Sequence, residues 1–329
     1  MKSIGRRSFF QNLLTGGVLA RAGAAQTVQT AQTARQNSGS VPFSSRRMDE
    51  MTSREIEFYL KSGGDLALIP FGPISGHGAL IPVGMHAHWA HALSLLIADK
   101  ANGLVFPPTH CCFAGATRTF RGTVSFTHGE QVMVLKRIAS TLNKQGFRRT
   151  VLVGGTNPED TGGMIAAREL FDETEIPTFF ISARRAFDLP EVQELWRGYP
   201  GNFNEQQIEL ASLRILGRER PIPLEDWSRE IKADKDAEHD QPAEIAPDMA
   251  AMRKWGVVGF RYFQEENHGN RGNAGILFKG RSDIDIAVDV LRKSADVIVP
   301  ALTSFEHYSK WLEQHPVKYI SPTERLQEK

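Results

Sequence analysis

The chain is poor in cysteine: two in 329 residues, Cys111 and Cys112, side by side. Neighbouring cysteines cannot staple distant segments, so disulfides do not hold the fold together. A strained vicinal disulfide and two small buried thiols are both open, and the thiols are the expectation. An excess of either charge is also missing. Thirty-nine basic side chains stand against 38 acidic ones, which removes the electrostatic case for nucleic acid or an anionic membrane surface as partner. There is no internal repeat. The apolar segment near the start is short and carries Arg21, too little to span a bilayer. What is left is the composition of an ordinary soluble globular protein, long enough for one large or two ordinary domains.

The first 25 residues differ from the rest. MKSIGRRSFFQNLLTGGVLARAGAA has a basic start, a modest apolar segment and small residues at Ala22-Gly23-Ala24, the layout of a secretory signal. Arg6-Arg7 followed by Ser8-Phe9-Phe10 resembles the twin-arginine export signal, which implies a periplasmic or secreted protein. The plainer alternative is a cytoplasmic protein with a basic tail. Residues 26–45, rich in Gln, Thr and Ser and without apolar periodicity, read as a disordered tether. The folded domain is then expected over 46–329.

Within that domain, strands and helices alternate. Met48 to Lys61 reads as a helix, with Thr52-Ser53 as its cap before Glu55. Leu66 to Phe71 is an unbroken apolar run ended by Gly72-Pro73, a buried strand. A helix is expected from about Ala90 to Asn102, a strand at Leu104–Phe106, an amphipathic helix over Gln131–Gln145 and a strand at Thr150–Val153. A helix over Gly162–Thr174 and a strand at Pro177–Ser182 follow. This order predicts an α/β fold in three layers, αβα, around a mainly parallel sheet. The stretch from Phe187 to Lys235 reads as long, charged and irregular, a lid or a subunit-contact arm.

After the first strand come His77, His86, His88 and His91, four imidazoles within fifteen positions of a glycine-rich stretch. A loop leaving a buried parallel strand is where α/β proteins place their chemistry. Imidazole is the commonest protein ligand for zinc-like metals. One such histidine is commonly a satisfied core residue, whereas four together point to a metal or catalytic role, for His77 first.

Four pieces, in order, resemble the creatininase (creatinine amidohydrolase) family. LALIPFGPISGHGALIPVGMHA is similar to the family's strand and "PxGSxEQHGxHLPxxTD" loop. Pro107-Pro108 with Phe120-Arg121-Gly122-Thr123-Val124-Ser125 is similar to "PP…FPGTxS". GFRRTVLVGGTN…AAREL is similar to "GFRRxxxVNGHGGN…AAREL". WGVVG…GNAGILFKGRSDIDIAVDVL is similar to the family's closing segment. The pieces span roughly residues 48 to 300. The resemblance implies a creatininase-like fold and a homo-oligomer, a hexamer. It also implies hydrolysis of a small polar molecule, amide-like or cyclic, by water activated on zinc or manganese.

The chain departs from the family pattern where the metals would sit. His77 keeps the histidine of "EQHG", but Ser75 replaces the glutamate, His86 the aspartate of "TD", and Thr156 the histidine of "NGHGGN". Two cations need bridging carboxylates, so one metal per chain is the expectation, held by His77 and His86 with Glu159 or Asp160 as oxygen ligand. His88 is an alternative to His86. Glu159-Asp160 also reads as a solvated helix N-terminus, where acidic residues are favoured. His239 and Glu244 reproduce the spacing of a family segment that supplies acid–base groups, and a charged surface loop is the other reading. A relative that binds a small ligand without metal or catalysis is the alternative function.

Overall fold

The computed structural model describes residues 45–77, 81–155, 157–197, 205–218, 259 and 281–316, with backbone alone for 157–159, 205–206 and 281–283. The expected signal and nearly all of the tether lie outside these residues. Helix α1 (Ser53–Lys61) is started by Thr52, whose side chain accepts from the Glu55 amide while Glu55 returns the bond to the Thr52 amide. The reciprocal cap satisfies two amide donors that a helix start leaves over. Strand β1 (Leu66–Phe71) follows and is buried throughout. The order continues as α2 (Met85–Ala101), β2 (Leu104–Val105), α3 (His128–Lys144), β3 (Arg149–Gly154), α4 (Asn157–Thr174) and β4 (Thr178–Ser182). Thr127 and Glu130 cap α3 with the same reciprocal pair.

The four strands run parallel in the order β2-β1-β3-β4. Alternate residues of each strand feed two separate cores. Leu66 and Leu68 of β1 and Val151 and Val153 of β3 pack with Trp89, Leu93 and Ile97 of α2. Ala67, Ile69 and Phe71, with Leu152, face the opposite way onto Leu135 and Leu142 of α3 and Leu170 of α4. A two-residue period with both faces apolar is what a sheet covered by helices on each side demands. The αβα expectation is met.

The stretch after β4 departs from the irregular arm expected there. It carries α5 (Ala183–Phe187), α6 (Pro190–Gln193) and α7 (Glu205–Ile215). Ile208, Ala211 and Leu213 of α7 are buried, and Trp196 stacks on Phe187 with ring centroids 4.6 Å apart. The apolar spacing Ile208, Ala211, Ile215 within EQQIELASLRI is a helical stripe that the flanking charge obscured. Helix α8 (Arg281–Gln314) closes the same layer, burying Ala287, Val290 and Leu291 in the core shared with α2.

With β1 joined to β2 on one side and, later in the chain, to β3 on the other, the strand order reverses between β1 and β3. That crevice, at the carboxyl ends of the strands, is where open parallel sheets receive ligands.

Candidate active site

The crevice is marked by glycines. A Cβ at Gly72, just past β1, would lie 2.5 Å from the Ala87 nitrogen and 2.7 Å from His86 Cβ. A Cβ at Gly155, just past β3, would lie 2.2 Å from the His86 carbonyl oxygen. The first turn of α2 is therefore pressed into the fork between the two strand ends, and His86 stands between them. Helix α2 begins at Met85, five residues earlier than the sequence indicates, so His86, His88 and His91 lie on a helix. Of the four histidines, only His77 belongs to the loop. Imidazoles and glycine are poor helix formers. The tight seating of this turn against Gly72 and Gly155 overrides that local preference.

The loop returns His77 to His86. Their ring centroids are 4.7 Å apart, and both side chains are buried, 9% and 4% exposed. Buried Ser75, at the family's glutamate position, meets His77 Nε2 through its hydroxyl at 2.7 Å. The loop is pinned by Ser75 N donating to Val83 O (2.8 Å), Gly76 N to Thr123 Oγ1 (2.9 Å) and Val124 N to Ile74 O (2.9 Å). The two histidines proposed as ligands are thus brought together.

The other expected groups are not placed beside them. The side chain of Glu159 lies outside the described residues, as do His239 and Glu244 entirely. Asp160 is buried, with its carboxylate against Gly154, where a Cβ would come within 2.7 Å of Oδ1. The solvated helix start expected for it is corrected: the first turn of α4 faces the sheet end. Among the described residues no three His, Cys, Asp or Glu side chains converge as a metal cage. Among the described residues, the donors at the His77–His86 pair itself are two imidazoles and a hydroxyl. Paired imidazoles are donors that suit a zinc-like ion.

A residue the sequence reading missed sits on α7. Glu209, with a wholly buried side chain, meets His88 Nδ1 at 2.6 Å. The bond ties α7 to the turn of α2 that carries His86. The local signal is weak: Glu209 lies off the stripe of Ile208, Ala211 and Ile215, and only its burial, where an acid survives with a partner, marks it.

His91 is buried deeper along α2. Burial pushes it down to about 4, and the nearby Arg47 and Arg218 charges push the same way. His110 is also lowered by burial, opposed by its hydrogen bond with the Gly72 backbone. For His91 the folded pKa lies below the unfolded one, so only the unfolded chain gains a proton as pH falls through 6.5. Stability is therefore full above about 6.5 and declines until about 4. Denaturant titrations should show that His91→Gln removes about 2 kcal/mol of the stability lost between pH 7 and 4.5. Equal acid sensitivity of variant and parent would contradict this assignment.

A family profile described as Creatininase (creatinine amidohydrolase) matches residues 49–207. No curated protein matches the sequence. Among solved structures, a point mutant of creatininase in a Zn-Zn form is 20% identical, with a TM-score of 0.56 over 78% of this chain and 98% of its own. A manganese creatininase is 21% identical, with a TM-score of 0.55 over 77% and 97%. A creatinine amidohydrolase crystal structure is 20% identical, with a TM-score of 0.50 over 78% and 97%. These resemblances carry the fold, and the profile lies over the segment that builds the crevice. Residues 49–207 form a domain of the creatininase family, and the chain has the fold of the creatininases of known structure.

Proposed function

We propose that this protein is an exported hydrolase of the creatininase type. It acts on a small polar substrate, amide-like or cyclic, at the carboxyl ends of β1 and β3. The observation that carries the reading is the facing pair His77–His86, buried in the fork between those strands and braced by Ser75. His77 and His86 would hold one divalent cation, zinc or manganese, with Glu159 as oxygen ligand. When bound, such a cation supplies a water acidic enough to act as hydroxide near neutral pH. The Ser75 bond at Nε2 fixes the plane of the His77 ring, the usual work of a group behind a ligand. Gly72 and Gly155 fix the backbone of His86. His239 and Glu244 are the proposed acid–base groups. The twin-arginine start supports export.

Ser75 in place of a carboxylate also favours a second reading, a relative that binds a small ligand without catalysis. One experiment separates them. The processed chain is purified from the exported fraction, its cation content is measured, and hydrolysis of lactams, cyclic ureas and linear amides is followed before and after chelation. The hydrolase reading requires about one cation per chain, turnover that chelation abolishes, and recovery on adding zinc or manganese. A cation-free protein that turns over none of the panel belongs to the second reading.

A further inference from the structure

We propose that Cys111 and Cys112 form a redox-convertible dithiol that reacts with a small disulfide and, on closing, displaces the His86 side of the site. Both cysteines are reduced, Cys111 half-buried and Cys112 buried as part of the core that holds Phe71, Leu104 and Leu152. They occupy a tight turn: the Cys112 amide donates to His110 O at 2.8 Å, with Cys111 at the turn's centre. The accessible thiol is therefore joined through one peptide to a thiol in the core. Successive Cα atoms stand about 3.8 Å apart, closer than the usual span of about 4.4–6.8 Å across a disulfide. A bond between these two sulfurs must bend the backbone that carries them. Strained disulfides of this kind are the labile, regulatory ones.

The exchange balances without any further reactant. The Cys111 thiolate attacks the small disulfide RSSR and releases one thiol, RSH, leaving a mixed disulfide. The Cys112 thiolate attacks the Cys111 sulfur and releases the second RSH. Two protein thiols are oxidised and one external disulfide is reduced, with their two protons carried away on the released thiols.

The path from this pair to the site is short. Cys112 Sγ leans on Thr109 O at 3.8 Å, and its carbonyl accepts from Phe126 N at 3.0 Å. Thr109 is stitched to the exit of β1 in both directions: Gly72 N donates to Thr109 O and Thr109 N donates to Pro70 O, each at 3.1 Å. Gly72 in turn lies against the first turn of α2, with no room for a Cβ between it and Ala87 N and His86 Cβ. Drawing Cys112 out of the core to reach Cys111 moves Thr109, Thr109 moves Gly72, and Gly72 moves the turn that holds His86. The effect on turnover rests on the hydrolase reading above; the thiol chemistry does not.

The test treats the purified full chain with oxidised glutathione. Both thiols should disappear together, with a loss of two hydrogens in mass and the Cys111–Cys112 peptide crosslinked. Turnover should fall at least about tenfold, since a displaced site group costs that much and more, and return with dithiothreitol. Cys111→Ser and Cys112→Ala should each abolish conversion, and Cys111→Ser should keep its turnover under oxidant. If the chain turns nothing over in either state, the imidazole C–H resonances of His86 decide instead: they shift on oxidation. A stable glutathione adduct on Cys111 with Cys112 still a thiol overturns the proposal. So does a closed disulfide that leaves turnover and the His86 resonances unchanged.

Discussion

Replacing His77 or His86 by alanine is expected to lower kcat/KM at least about 100-fold, because each removes one of the two imidazoles offered to the cation. Bound zinc or manganese should fall in parallel. Paired action gives a further signature: the double variant should lose little more than either single one, since groups that work as a unit are not additive. Ser75→Ala should cost less, roughly 10- to 100-fold, because it only lets the His77 ring turn. Thermal stability separates chemistry from folding. His77 lies in the loop, outside both apolar cores, so its alanine variant should melt close to the parent. A His77→Ala protein with full cation content and undiminished turnover would remove the crevice from the reaction altogether.

What the sequence makes legible here follows from what burial demands. The run Leu66–Phe71 has no polar position because both of its faces are covered, so the strand could be read directly. The Thr52–Glu55 cap is a local pattern with a local cause, and it was equally readable. The start of α2 was not. Its first turn is stabilised by contact with Gly72 and Gly155, which are 14 and 69 residues from His86 in the chain, and no window of local sequence contains that contact. The same holds for Glu209, whose partner His88 is 121 residues away. The His77–His86 pairing was reached through the family resemblance. The residues alone put His77 first and gave no means of choosing its partner among the other three histidines.

Gly155→Ala should be among the most damaging of single-methyl changes in the protein, and it tests whether the fork between β1 and β3 sets the position of His86. The added Cβ would lie 2.2 Å from the His86 carbonyl oxygen and 2.9 Å from its Cα. These are backbone atoms of a helix held in the core by its own Trp89, Leu93 and Ile97, so they cannot swing aside as a long side chain would. Either β3 or the first turn of α2 must shift, at about 1–3 kcal/mol or more for overpacking of this kind. Because the obstacle is the backbone of a site residue, turnover should fall further than stability alone explains. Gly72→Ala, opposed by Ala87 N and His86 C at 2.5 and 2.6 Å, should behave alike. Gly129 provides the contrast. It lies in the first turn of α3, and a Cβ there would find nothing closer than Thr127 Oγ1 at 3.9 Å. Gly129→Ala should therefore stabilise the protein slightly, by about 0.5 kcal/mol, through the better helix propensity of alanine. Denaturant unfolding of the three variants, with turnover measured alongside, reads all of this at once. A Gly155→Ala protein as stable and active as Gly129→Ala would mean that the fork is loose and that some other contact positions His86.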